Sequence, residues 1–168
     1  MNDGYIKVAA LSPKIRVADP KYNMQAILRQ VKEAAQEGAR VMVFPELCMT
    51  GYSCGDLFLQ ELLLKEAKEQ LRVIADASEG LDALIFVGLP VEKEHKLYNV
   101  AAAVHDGKVL AMIPKRFIPA YAEFYETRHF TPGNQIPEPY WWEDEEIPFG
   151  SNLLFQADSM RELVVGCE

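Results

Sequence analysis

Residues 41–55 read VMVFPELCMTGYSCG. Val41, Met42, Val43 and Phe44 form an unbroken apolar run, Pro45 ends it, and Glu46 follows at once. A short apolar run closed by a turn residue fits a buried strand. A strand that delivers a carboxylate to the loop at its end is how many α/β enzymes present a general base. The loop that follows is built of small and aromatic residues and closes on Cys54-Gly55.

Upstream, residues 5–11 (YIKVAAL) are a second apolar run, bounded by Gly4 and Ser12-Pro13. Asp19-Pro20 has the form of an N-cap followed by proline at the first helical position. Across residues 21–37, Met24, Ile27, Leu28, Val31, Ala34 and Ala35 recur at three- and four-residue spacing, which predicts an amphipathic helix. Gly38 is placed to stop it. Strand, helix and strand together take about 40 residues, and the right-handed crossover rule makes the two strands parallel neighbours.

Downstream, residues 58–77 predict a second helix, with Leu59, Leu62, Leu63, Ala67, Leu71 and Ile74 in period and Lys65 four residues from both Glu61 and Glu69. Residues 81–89 predict a buried strand. Residues 97–104, rich in small apolar side chains, and 108–113 flank Asp106-Gly107, a two-residue hairpin signal. The sheet is therefore expected to be mixed, parallel at first and antiparallel later. Residues 115–133 read as a loop or short helix, and residues 136–150, with their prolines, acids and Trp141-Trp142, as a surface excursion outside the core. Short strands are expected at 153–156 and 163–166. There is no internal repeat, low-complexity segment or linker.

Composition bounds the rest. A chain of 168 residues, 49% hydrophobic and 25% charged, fits one ordinary globular domain. A net charge of −8 argues against nucleic acid as a partner, because a phosphate backbone calls for clustered cations. No run approaches a membrane span, and no basic and apolar leader opens the chain, so neither membrane nor secretion is expected. Cys48, Cys54 and Cys167 are odd in number, which does not suit a disulfide framework and favours a reducing cytoplasm. Cys48 and Cys54 lack CxxC spacing and a neighbouring histidine, so no metal site is expected.

Glu46 after Pro45 and Lys115 after Pro114 each end an apolar run. If they met in one cleft, the lysine would favour the ionised carboxylate while burial opposed it, and the pair could activate a nucleophile and hold developing negative charge. Spacing alone favours the plainer reading of two solvated charges at strand ends. Glu123 lies eight residues after Lys115 among Tyr121, Phe124 and Tyr125, which would wall a pocket on a short helix. A solvated turn pinned by buried aromatics explains the same residues. His95, His105 and His129 are scattered, so no Ser-His-Asp or Cys-His arrangement has support, and no glycine-rich phosphate loop is present.

FPELCMTGYSCGDLF (residues 44–58) and PKRFIPAYAEFYETRHFTPG (residues 114–133) resemble the nitrilase superfamily of carbon–nitrogen hydrolases. GYSCGDLF and YAEFYETRHF make the chain most similar to the N-terminal glutaminase domain of glutamine-dependent NAD synthetase, along its whole length. The resemblance implies an α/β fold, the nitrilase-like α-β-β-α sandwich with a mixed sheet, and a Glu-Lys-Cys covalent mechanism. It gives Glu46 the role of general base, Lys115 that of oxyanion stabiliser, Glu123 a positioning or relay role, and Tyr121 and Phe124 places in the glutamine pocket. It implies L-glutamine as substrate and ammonia delivered to a synthetase domain of the same chain, which would amidate deamido-NAD. No cofactor is implied for this domain; ATP and Mg belong to the synthetase domain. A homo-oligomer is implied for the full-length protein.

One position departs from the resemblance. The family's nucleophile follows a strand reading Gly-x-x-x-Cys-Glu-Asp. Counted from Gly166, that cysteine falls two residues past Glu168. Cys167-Glu168 imitates the motif in the wrong register. Residues 1–168 are therefore expected to be the N-terminal part of a C-terminally truncated glutaminase domain, inactive alone. The alternatives are a free-standing amidase or nitrilase, and a non-catalytic binding or assembly module with the same fold.

Overall fold

The computed structural model describes residues 5–121, 124–158 and 160–167. The elements in chain order are β1 (Lys7–Ala10), α1 (Pro20–Gln36), β2 (Ala39–Val43), α2 (Glu61–Ala77), β3 (Leu84–Lys93), β4 (Lys96–His105), β5 (Lys108–Pro114), β6 (Glu138–Trp142), β7 (Glu145–Phe149), β8 (Leu154–Ala157) and β9 (Met160–Gly166). Short 3-10 turns occupy Gly55–Leu59 and Glu126–Arg128. No described helix is long and apolar enough to cross a membrane.

Seven strands form one mixed sheet in the order β1-β2-β3-β4-β5-β7-β6, and β8 pairs with β9 as a separate hairpin. β1, β2 and β3 are parallel, and β3-β4-β5 is an antiparallel meander. The Asp106-Gly107 turn is built as its sequence requires, with φ of 45° and 80° at its two central residues.

The helices form as the periodicity predicts. Asp19 Oδ1 accepts the Tyr22 N–H at 3.0 Å and caps α1, and Pro20 opens its first turn. Gly38, at φ 81°, ends it. α1 buries Met24, Ile27, Val31 and Ala34, and α2 buries Leu63, Ala67, Leu71 and Ile74. Both stripes, Leu63 excepted, join one core cluster with Met42, Ile85, Val87, Leu89, Val104 and Met112 from the sheet; Leu63 packs with Leu47, Cys54, Phe58 and Phe130. Each fully buried Leu or Ile side chain contributes about 1.5–3 kcal/mol. The exposed Lys65–Glu69 pair, at 4.0 Å, belongs to a class worth about 0.3–0.5 kcal/mol. Packing of the stripe therefore holds α2 in place.

The second helix starts later than its pattern suggests. Gln60 is extended (φ −91°, ψ 118°) and separates the Gly55–Leu59 turn from α2. Leu59, before this break, is exposed, and Leu62, inside α2, is exposed because it lies one helical step off the buried row of Leu63, Ala67, Leu71 and Ile74.

The opposite face of the sheet carries a smaller cluster of Val41, Phe86, Ala103, Ala111 and Ile113. The β8-β9 hairpin covers it through Leu153, Phe155 and Val165, with Cys167 alongside. The molecule thus layers helices, sheet and hairpin, so β2 is covered on both sides and needs no polar alternation.

Residues 136–150 correct the sequence reading. They are not a surface excursion. β6 and β7 form a hairpin at the edge of the main sheet, with Phe149 paired to Met112 of β5. Trp142, Ile147 and Phe149 enter the main core. The prolines misled because Pro139 and Pro148 face each other across the hairpin at the sheet margin, where a missing N–H is tolerated. Strand alternation separates the two tryptophans: Trp142 is 6% exposed and Trp141 65%. Trp142→Ala is expected to lower the unfolding free energy by about 3 kcal/mol or more, and Trp141→Ala by about 0.5 kcal/mol or less. Urea denaturation of the two variants side by side checks this.

Candidate active site

The chain leaves β2 through Phe44, whose N–H still bonds Phe86 O at 3.0 Å, and then turns sharply. Leu47 takes φ 52°, and its carbonyl accepts the N–H groups of Thr50 and Gly51. The turn rests directly on β3. A Cβ at Gly88 would lie 2.5 Å from both Leu47 N and Pro45 O, so only glycine allows this approach. Met49 N–H bonds Gly88 O at 3.0 Å and fastens the turn there. Glu46 is thereby held over the middle of the sheet instead of projecting from its edge.

Lys115 arrives from the end of β5. The β4–β5 register pairs Val100 with Pro114, and one step further Lys115 N–H donates to Asn99 O at 2.7 Å. Residues 115–133 form a closed loop, because Gly133 N–H returns to Lys115 O at 2.9 Å. The far part of the loop is tied down twice. Arg128 makes a two-pronged ion pair with Asp56 (3.1 and 3.3 Å), and Phe130 packs edge-on against Phe58 at 5.0 Å.

These placements bring three charged groups together. Lys115 Nζ donates to Glu46 Oε1 at 2.8 Å and to the Glu126 carboxylate at 3.1 and 3.0 Å. Tyr52 Oη donates to Glu126 Oε1 at 2.8 Å, and Asn99 Nδ2 donates to Glu46 Oε1. Glu126 is 5% exposed, and an unpaired carboxylate at that depth would cost several kcal/mol. The ammonium and the phenol offset that cost. Burial alone would push Lys115 down, but its hydrogen bonds to Glu46 and Glu126 outweigh burial and hold it above the ordinary lysine range. The lysine therefore stays a charged donor.

Glu46, Gly88, Asn99, Lys115 and Cys167 line one cavity. The thiols differ from a reactive cysteine. Burial pushes Cys48 up to about 12, and its Sγ sits 3.6 Å from Gly88 O. Burial also raises Cys54 and Cys167. All three cysteines are free.

The structure thus unites Glu46 and Lys115, against the reading of two solvated strand-end charges that spacing alone favoured. Tyr121 and Phe124 stack edge-on with centroids 5.5 Å apart, and Tyr121 is largely exposed. Glu123 lies outside the described residues. Two members of the cluster were not found in the sequence. Glu126, eleven residues after Lys115, is one of two acids in YAEFYETRHF, and the other, Glu123, carried the assignment. Asn99 had a signal: it is the lone amide in YNVAAAV, a strand otherwise apolar.

Comparison with known proteins identifies the family. Residues 7–150 match the family model described as carbon-nitrogen hydrolase. The glutamine-dependent NAD(+) synthetase of Mycobacterium leprae is 36% identical over 167 residues, covering 99% of this chain and 25% of that protein. The crystal structure of a glutamine-dependent NAD(+) synthetase from Cytophaga hutchinsonii superposes with a TM-score of 0.88 at 28% identity, covering 96% of this chain and 27% of that one. An amidase from Nesterenkonia sp. shares the fold, with a TM-score of 0.66 at 24% identity, covering 88% of this chain and 56% of that one. The chain spans about a quarter of the length of the curated relatives it matches. With its nitrilase-like α/β fold, this chain belongs to the carbon–nitrogen hydrolase family.

Proposed function

We propose that this chain is the N-terminal part of a glutaminase domain, residues 1–168, that releases ammonia from glutamine within a longer glutamine-dependent NAD synthetase. The observation that carries the reading is the Lys115 ammonium held between Glu46 at 2.8 Å and Glu126 at 3.0 Å, at the ends of β2 and β5. A carboxylate base beside a permanent cation is the equipment that acyl transfer from an amide requires.

In this mechanism Glu46 takes the proton of a cysteine thiol as its sulfur attacks the side-chain amide carbon of glutamine. The carbonyl oxygen becomes an oxyanion and is stabilised by the Lys115 ammonium. Glu46 returns the proton to the leaving nitrogen, the C–N bond breaks, and ammonia departs from a thioester. Glu46 then deprotonates a water molecule that attacks the thioester carbon, and glutamate leaves as the thiol is restored. Glu126 holds the ammonium in place. Glu123 is assigned the positioning or relay role that the family motif gives it, and Tyr121 and Phe124 the glutamine pocket. In the longer protein the ammonia would serve an ATP- and Mg-dependent synthetase domain that amidates deamido-NAD. A homo-oligomer in a reducing cytoplasm completes the proposal.

The nucleophile is assigned to the cysteine of the Gly-x-x-x-Cys-Glu-Asp register, beyond Glu168. Cys167 lines the same cavity as Glu46 and Lys115, and only the register of the motif separates it from the nucleophile. In the full-length protein, Glu46→Gln and Lys115→Ala are each expected to reduce glutamine-dependent ammonia release by about 100-fold or more with the fold retained. Cys167→Ser should leave it largely intact, and the isolated 168 residues should release none. Full activity in the Glu46 and Lys115 variants would sink the assignment.

The charge state of Lys115 is testable separately. Its folded value lies above the unfolded value of about 10.4. The stability contributed by the ammonium is therefore complete below about pH 10.4. It is lost as pH rises through the folded value. Urea unfolding of the unsubstituted protein and Lys115→Met should show a gap that narrows as pH rises past about 10.4. A gap independent of pH across that range would contradict the raised lysine.

A further inference from the structure

We propose that Asn99 is a positioning residue that fixes Glu46 Oε1 as the bound oxygen of the carboxylate and leaves Oε2 as the oxygen that exchanges protons. The inference rests on the reading of Glu46 as general base.

Asn99 lies in β4 and is 3% exposed. It faces Pro90 across the β3–β4 pairing, in the row Asn99, Ala101, Ala103. Opposite residues of antiparallel strands share a sheet face, so the row Ala111, Ile113, Lys115 lies alongside it. A primary amide at the end of an alanine row is costly to bury unless its hydrogen bonds are made. Asn99 Nδ2 makes one to Glu46 Oε1.

The same residue also holds the lysine, since Asn99 O accepts the Lys115 N–H at 2.7 Å. One rigid strand position therefore sets the separation of base and cation. Lys115 Nζ adds a second donor to Glu46 Oε1 at 2.8 Å. Oε2 accepts no hydrogen bond among the described residues. A carboxylate with both donors on one oxygen takes up a proton on the other, so Asn99 determines the direction of proton transfer. The charged and titratable groups around Glu46 are Lys115 in contact, Glu126 beyond it with Tyr52, and Cys167 across the cavity.

The test removes the amide donor. Asn99→Leu keeps the approximate shape, and Asn99→Ser is a smaller change whose hydroxyl is too short to replace the amide; whichever folds carries the comparison. The Glu46 carboxyl is titrated by carbon-13 NMR in the 168-residue protein. A midpoint at least about half a pH unit above that of the unsubstituted protein is expected, because a donor to the ionised form is lost. An unmoved midpoint overturns the proposal. In the full-length protein, kcat for ammonia release from glutamine should fall about tenfold or more with KM changed less than about twofold, as for an interaction used in the transition state. A raised KM with kcat intact also overturns it. If the unsubstituted full-length protein releases no ammonia from glutamine, the proposed function fails, and the Glu46 midpoint alone decides the role of Asn99.

Discussion

The Lys115 ammonium is the centre on which the surrounding structure depends. It lies between two carboxylates that come from distant parts of the chain, Glu46 after β2 and Glu126 in the loop after β5. Neither carboxylate could remain so placed without it. Glu126 is almost wholly buried, and Glu46 stands over the sheet on a turn with a left-handed residue at Leu47. The contacts around the cluster each fix one of its members. Gly88 lets the Glu46 turn touch β3, Gly133 closes the loop onto Lys115, and Arg128 ties the Glu126 turn to Asp56. A cation between two anions tolerates little displacement, because its attraction to each falls as distance and water access increase.

The sheet divides its labour between its faces. One face carries the large side chains that meet α1 and α2 and supplies most of the apolar burial. The other carries a smaller cluster, with Ala101, Ala103 and Ala111 among Val41, Phe86 and Ile113, under the β8-β9 hairpin. On that face Gly88, Asn99 and Lys115 meet Glu46 at the cavity. The arrangement follows from the register: residues alternate sides, so a row that is alanine in the core becomes amide or ammonium at the rim without changing face.

The parallel start of the sheet, both helices and the Asp106-Gly107 hairpin were legible, because each is encoded by local spacing; the positions of Glu46 and Lys115 at strand ends were legible too, but spacing alone favoured two solvated charges over a pair. Periodicity marks a helix, and an apolar run ending in Pro-Glu or Pro-Lys marks a strand with a charge at its tip. The features that escaped are those set by tertiary context. Residues 136–150 look like a loop by composition, and only pairing with β5 turns Trp142 inward. The stripe of α2 could not reveal that Leu59 lies off it, because an extended Gln60 breaks the count before the helix begins. Glu126 was hidden for a related reason. Its approach to the lysine depends on contacts of the loop to Asp56 and Phe58 far upstream, which no local spacing encodes.

Glu126 also resolves a conflict within the proposed mechanism. A lysine beside a general base favours the ionised form of that base, yet the same lysine must be free to stabilise an oxyanion once the base has taken its proton. With Glu46 alone, protonation would leave the ammonium without a counter-charge in a partly buried site, and its own proton would become easier to lose. Glu126, 3.0 Å away, is a second partner that this step does not involve. The ammonium then survives the protonation of Glu46, and the strength released from that contact is available to the oxyanion. In the proposed mechanism two carboxylates around one lysine thus separate two duties: Glu46 would move the proton while Glu126 stays paired with Lys115.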